Sequence, residues 1–152
     1  MKTVLFVCTG NICRSPMAEG ILEKMVSASK VKDITVLSAG THPSDGISPT
    51  KEAMQVMKKF GIDISNHRAV HIGRDLIRKA DLILALEKKQ KEDILELEPT
   101  AKGKVFLINE FAGNGELDIE DPIGQGLKEY EKCAGIIKGL LEKSLKEIIS
   151  RD

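Results

Sequence analysis

Val7-Cys8-Thr9-Gly10-Asn11-Ile12-Cys13-Arg14-Ser15-Pro16 joins an apolar run, Thr3–Val7, to a stretch in which Met17, Ile21, Leu22 and Met25 recur on one helical face. A strand ends here and a helix begins, with Ser15 as the expected capping hydroxyl and Pro16 at the first helical position. Such a junction gathers free backbone N–H groups and the positive end of a helix dipole around one point, which suits an oxyanion. The nucleotide patterns GxxxxGK[ST] and GxGxxG are absent, Gly10 being the loop's only glycine. The loop instead begins with a cysteine and places an arginine six residues later. Curled round a phosphate, it would aim the Cys8 sulfur at phosphorus while Arg14 grips two equatorial oxygens in a bidentate fork. The helix N-terminus and Arg14 both favour thiolate over thiol, and thiolate is the nucleophile that phosphoryl transfer needs.

Working outward, short apolar runs alternate with amphipathic stretches. Strands are predicted at Thr3–Val7, Thr35–Ser38, Leu82–Ala85 and Lys104–Leu107. Helices are predicted after Ser15-Pro16, from Ser48-Pro49 to about Phe60 with Gly61 as the stop, over Lys89–Leu97 before Pro99, and from about Leu127 to Ile149. In the last of these Ile136, Ile137, Leu140, Leu141, Leu145, Ile148 and Ile149 read as a packing stripe. The β-α-β-α order predicts an α/β fold, a parallel sheet covered by helices on both faces, with ligand sites at the C-terminal ends of the strands. The first strand ends at Cys8.

At 152 residues, 41% hydrophobic and 30% charged, the chain has the size and composition of one globular domain. Lys+Arg and Asp+Glu both total 23, so the basic excess of a sequence-independent nucleic-acid binder is missing. Apolar stretches such as Val4–Cys8 and Leu82–Leu86 fall far short of the ~20 residues of a membrane span, and the N-terminal run is too short for a signal peptide, so a cytoplasmic protein with no membrane partner is expected. Three cysteines read as reduced thiols rather than a disulfide framework. A zinc site built on Cys8, Cys13 and a histidine lacks a second ligand pair at zinc spacing.

CTGNICRSPMAEG resembles the CxGNxCRSPxAE signature of the low-molecular-weight protein tyrosine phosphatases. The similarity extends to Leu37-Ser38-Ala39-Gly40, Gly61-Ile62 with His67-Arg68, Ala80-Asp81-Leu82-Ile83-Leu84 and Asp121-Pro122, spanning most of the chain. The resemblance implies a three-layer sandwich with a four-stranded parallel sheet, a phosphate-binding loop after the first strand formed by Thr9, Gly10, Asn11, Ile12, Cys13 and Ser15, and no metal or organic cofactor. It implies Cys8 as nucleophile, Arg14 as oxyanion clamp and Asp121 as the acid that protonates the leaving group and then activates water. The acidic neighbours Glu116, Asp118 and Glu120 would disfavour a further charge at Asp121. Asn11, Ser15, Ser38 and His67 match family positions that form a hydrogen-bonded shell around the loop, although helix cap, strand end and loop histidine are the plainer readings of the last three. The family's second cysteine, matched by Cys13, forms a reversible disulfide with the nucleophile. Cys133 reads as a core or surface thiol.

The expected substrate is a phosphorylated protein, met by a monomer. Ile12 stands where phosphotyrosine-directed members commonly carry Ile and the related protein-arginine phosphatases carry Thr, and an apolar wall suits a phenyl ring. Against this, Ile123-Gly124-Gln125 follows Asp121-Pro122 where an aromatic is usual, and Thr41–Ile47 also lacks one, leaving Phe111 as the aromatic expected near the mouth. Protein-arginine phosphatase is therefore the alternative. Thioredoxin-coupled arsenate reductases need further cysteines after the third strand, where this chain has Glu87-Lys88-Lys89, and a non-catalytic phosphate binder has no need of Cys8, Arg14 and Asp121 together.

Overall fold

Along β1 (Lys2–Cys8) successive side chains point to opposite sides, and in this computed structural model both sides are buried. The structure describes residues 2–31 and 33–151. Val4, Phe6 and Cys8 pack with Met17 and Leu22 of α1 (Arg14–Ala28), Met57 of α2 (Lys51–Lys59) and Ile137 and Leu141 of α6 (Leu127–Ser150). Leu5 and Val7 pack on the other side with Ile77 of α3 (Arg74–Lys79) and Ile94 of α4 (Lys88–Leu97). A strand buried on both faces reads as a continuous apolar run, which is why Val4–Cys8 carries no alternation.

β2 (Ile34–Gly40), β3 (Leu82–Ala85) and β4 (Val105–Leu107) complete a four-stranded sheet in the order β2-β1-β3-β4, every pairing parallel. The chain leaves β1 for β2 on one side and returns past it to β3 on the other. That reversal puts the sheet's topological switch at the C-terminal end of β1, beside Cys8. The expected α/β sandwich and its four strands are thus present. α3, α5 (Ile108–Phe111) and a 3-10 turn over Pro99–Gly103 are additional, being six, four and five residues long and too short for a helical repeat to register.

Both expected helix caps shift. α1 starts at Arg14 with Cys13 as its N-cap and no side-chain cap bond, so Ser15 lies inside the first turn, where its hydroxyl has other partners. α2 is capped by Thr50, whose side chain accepts from the Ala53 amide at 3.2 Å, rather than by Ser48. Of the α6 stripe, Ile137, Leu140, Leu141 and Ile148 are buried while Ile136 is 44% exposed. The end of α6 is tied to the start of β1 by Lys2 Nζ, which donates to the Ile148 and Ile149 carbonyls at 2.8 and 2.9 Å. Phe111 sits near that end too, its ring 5.4 Å from Phe106 with the Arg151 guanidinium over both, and so is not at the mouth beside Cys8. Among the described residues no helix is long and apolar enough to cross a membrane.

Candidate active site

Cys8 ends β1 at 1% exposure, and the loop after it folds back over its sulfur. The Asn11 amide donates to Cys8 Sγ at 3.2 Å, and Ser15 Oγ lies 2.9 Å from the same atom. Asn11 makes this return with φ at 57°, a left-handed conformation that asparagine tolerates better than most residues. Its side chain, fully buried, donates to Ser15 Oγ at 2.8 Å and Ser38 Oγ at 3.0 Å and accepts from the Val70 amide at 3.0 Å. Asn11, Ser15, Ser38 and His67 are therefore brought together around one residue, with Ser15 and Ser38 on the Asn11 side chain and His67 Nε2 2.9 Å from its backbone carbonyl. Thr9 faces α4, its hydroxyl accepting from Gln90 Nε2 at 3.1 Å. Ile12 is anchored by its carbonyl, which accepts from the Thr50 amide at 2.9 Å.

The glycine that the loop's approach requires is Gly40. A Cβ there would stand 2.6 Å from the Thr9 carbonyl oxygen, whereas at Gly10 the first atom met would be Ile12 Cγ1 at 3.4 Å. Gly10, expected to shape the cradle, occupies ordinary space against protein atoms.

Arg14 is 1% exposed, and three groups fix its guanidinium: the Ile119 carbonyl at 2.8 Å from Nη1, the Glu87 carboxylate, also on Nη1, and Asp121 Oδ2 at 3.5 Å from Nη2. Burial opposes its charge, but the Cys8 sulfur, Asp121 and Glu87 outweigh burial and raise its pKa. Arg14 Nε is buried and, among the described residues, has no hydrogen-bond partner. Buried donors are rarely left so, and this one lies in a loop whose amide and hydroxyl donors already turn toward Cys8.

Asp121 reaches the site from the loop before α6. The group opposite it is the Arg14 guanidinium; Asp118, expected to crowd it, instead accepts from the Lys88 amide at 2.7 Å. Cys13 Sγ donates to Asp121 Oδ1 at 3.4 Å, and the Ile123 amide donates to the same oxygen at 3.1 Å. Cys133 is buried at 4% exposure with its thiol toward the Glu120 carbonyl at 3.9 Å, under the loop that carries Asp121; burial first, then Asp121 and Cys8, push it up to about 12 despite Arg14.

Three participants escaped the sequence reading. Glu87 figures there only as a position without a cysteine, Gln90 lies unremarked in the predicted helix Lys89–Leu97, and Glu19 stands inside the CTGNICRSPMAEG match without a role. Glu19 Oε1 accepts from Ser38 Oγ at 2.5 Å and lies 3.6 Å from His67 Nδ1. Burial raises the pKa of Glu19 against the Ser38 bond, and burial lowers that of His67 against the Asn11 carbonyl, so desolvation disfavours the charged form of both partners. Glu19 is the sixth residue of α1, and it is the packing of α1 on β2 that turns its carboxylate inward to Ser38. Among the described residues no group of three or more His, Cys, Asp or Glu gathers as a metal site.

Residues 3–152 match the family model described as low molecular weight phosphotyrosine protein phosphatase. The chain is 38% identical over 138 residues to the probable low molecular weight protein-tyrosine-phosphatase EpsP of Ralstonia nicotianae, covering 91% of this chain and 90% of that protein. It is 34% identical to the protein-arginine-phosphatase of Geobacillus stearothermophilus over 92% of this chain and 91% of that one. The crystal structure of a low molecular weight protein tyrosine phosphatase from T. tengcongensis superposes with a TM-score of 0.92 at 42% identity, covering 97% of this chain and 99% of that one. A match over nearly the whole chain, on a fold whose strand-to-helix junction has the geometry described, places this chain in the low molecular weight phosphotyrosine protein phosphatase family.

Proposed function

We propose that residues 1–152 act as a single-domain phosphatase that hydrolyses phosphotyrosine in proteins through a cysteinyl-phosphate. The observation that carries this reading is the buried Arg14, fixed beside the Cys8 sulfur by Glu87, Asp121 and the Ile119 carbonyl with its Nε unpartnered among the described residues. A phosphoryl group over Cys8 would take that donor together with the amides of the loop from Thr9 to Ser15.

The reaction has two steps. The Cys8 thiolate attacks phosphorus, the P–O ester bond breaks, and the departing oxygen takes the proton of Asp121. Water then attacks the phosphocysteine, giving its proton to Asp121 as the P–S bond breaks, which releases orthophosphate and restores the thiolate. The Ser15 hydroxyl and the Asn11 amide stabilise sulfur each time it carries charge. Cys13 is the resolving thiol that closes a disulfide on Cys8 after peroxide has oxidised it to the sulfenic acid, with loss of water. The three cysteines are free, which supports work in a reducing compartment, the cytoplasm; the substrate in this reading is a phosphorylated protein, met by a monomer.

Phosphoarginine is the second reading. It is favoured by Ile123, 50% exposed directly after Asp121-Pro122, where a phosphotyrosine ring would gain from an aromatic neighbour. The test is phosphate release from phosphotyrosine and phosphoarginine peptides side by side, with Cys8→Ser as the blank. Faster Cys8-dependent release from phosphotyrosine is expected. Faster release from phosphoarginine would keep the chemistry and reverse the substrate, and no turnover of either would overturn the reading.

A further inference from the structure

Cys13 does more in this arrangement than line the loop. At 3% exposure its thiol donates to Asp121 Oδ1, which also accepts the Ile123 amide. The second oxygen of Asp121, Oδ2, is the one turned toward the Arg14 guanidinium, at 3.5 Å, and hence toward the phosphoryl position.

We propose that Cys13 is a positioning residue for the general acid: its S–H, with the Ile123 N–H, saturates Oδ1 so that the transferable proton of Asp121 is carried on Oδ2, the oxygen that faces the leaving group. A protonated carboxyl has one O–H, and an oxygen already accepting two donors is the unfavourable place for it. Burial, then the negative neighbours Cys8 and Asp121, push the Cys13 thiol far above its ordinary range, so it keeps its hydrogen at working pH and remains a donor. The inference rests on the reading of Asp121 as the acid.

The test is the leaving-group dependence of kcat/KM, which reports the steps through departure of the alcohol. Wild type, Asp121→Ala, Cys13→Ala and Cys13→Ser are compared on 2,4-dinitrophenyl, 4-nitrophenyl and phenyl phosphate under reductant, with inhibition by inorganic phosphate as the measure of loop integrity. An acid matters most for the poorest leaving group. Cys13→Ala is therefore expected to lose about tenfold on phenyl phosphate and stay within about twofold of wild type on the dinitrophenyl ester, a part of the effect of losing the acid outright. Cys13→Ser, which restores a donor, recovers most of the loss, and phosphate inhibition is unchanged throughout. Cys13→Val fills the site without a donor and repeats the test if the alanine variant does not fold. Equal loss on all three esters with weakened phosphate inhibition, or no loss at all, overturns the proposal. If Asp121→Ala steepens the leaving-group dependence and Cys13→Ala does not, the positioning role alone fails; if Asp121→Ala does not steepen it, the acid assignment fails and takes the proposal with it.

Discussion

Ser15 Oγ stands 2.9 Å from Cys8 Sγ while accepting from Asn11 Nδ2 at 2.8 Å. With a lone pair of the hydroxyl engaged by the amide, its own hydrogen is directed to the sulfur. A hydrogen bond to a charged group is worth about 1.5–3 kcal/mol, so Ser15→Ala is expected to slow kcat on 4-nitrophenyl phosphate by roughly tenfold to a hundredfold. Inhibition by inorganic phosphate should change little, because Arg14 and the loop amides are untouched. An unchanged kcat would remove the sulfur-supporting role.

Asn11 holds the loop shut. Its side chain bonds Ser15, Ser38 and the Val70 amide, and its backbone sits at φ 57°. Asn11→Ala leaves those buried groups short of a partner and puts a less tolerant residue in the left-handed region, a loss of about 3 kcal/mol in unfolding free energy. Urea denaturation of the two proteins measures it, and a midpoint within error of wild type would show that the network contributes nothing to stability.

Part of this was legible from residue order alone and part was not. β1 and its loop were readable because an apolar run, a cysteine and Arg14-Ser15-Pro16 lie consecutively, and local chemistry decides what such a junction does. Asp121 could be reached only by resemblance, since an Asp-Pro is by itself a turn signal. Glu87 and Glu19 were invisible for a different reason. Their roles depend on how the start of α4 and the inner face of α1 meet Arg14 and Ser38, and that is settled by packing across the sheet rather than by neighbours in sequence. The two Ser-Pro helix starts misplaced the caps because Thr50 and the Ser15–Cys8 contact compete for the same chemistry.

His67 makes stability depend on pH. Burial lowers its pKa in the folded protein, so the folded state resists protonation that the unfolded chain accepts. The sign follows: its contribution is intact above the ordinary histidine value of 6.5 and is lost as pH falls from there through the lowered folded value. His67→Gln keeps a donor for the Asn11 carbonyl without a titrating ring. The stability of wild type relative to this variant should therefore decline between about pH 7 and pH 5. Parallel denaturation curves at several pH values give the comparison, and a constant difference would contradict the assignment.

Arg14 has its guanidinium shared among Ile119, Glu87 and Asp121, a span that one ammonium cannot cover. Arg14→Lys keeps the charge and loses the fork. Its kcat/KM on 4-nitrophenyl phosphate is expected to fall by at least about a hundredfold, the scale of removing a donor preorganised for developing charge. A loss under about threefold would mean that charge alone suffices.

Ile12 is the side chain at which the two substrate readings divide. It is half-buried, its carbonyl is fixed by the Thr50 amide at 2.9 Å, and its Cγ1 lies 3.4 Å from where a Cβ on Gly10 would stand, so its aliphatic surface lies along the glycine side of the cradle. A phenyl ring entering toward Cys8 would gain apolar contact there, whereas a guanidinium would leave its N–H groups facing hydrocarbon without acceptors. Threonine is nearly isosteric at the branch and supplies a hydroxyl. Ile12→Thr should therefore lower kcat/KM for phosphotyrosine peptides by about fivefold, the cost of one or two methylenes of lost contact, and raise that for phosphoarginine peptides. The ratio of the two rates is the quantity to measure, since a general weakening of the loop would move both in the same direction and leave it unchanged. If the ratio does not move, selectivity lies elsewhere at the mouth, and Ile123, half exposed on the Asp121 loop, is the next side chain to exchange.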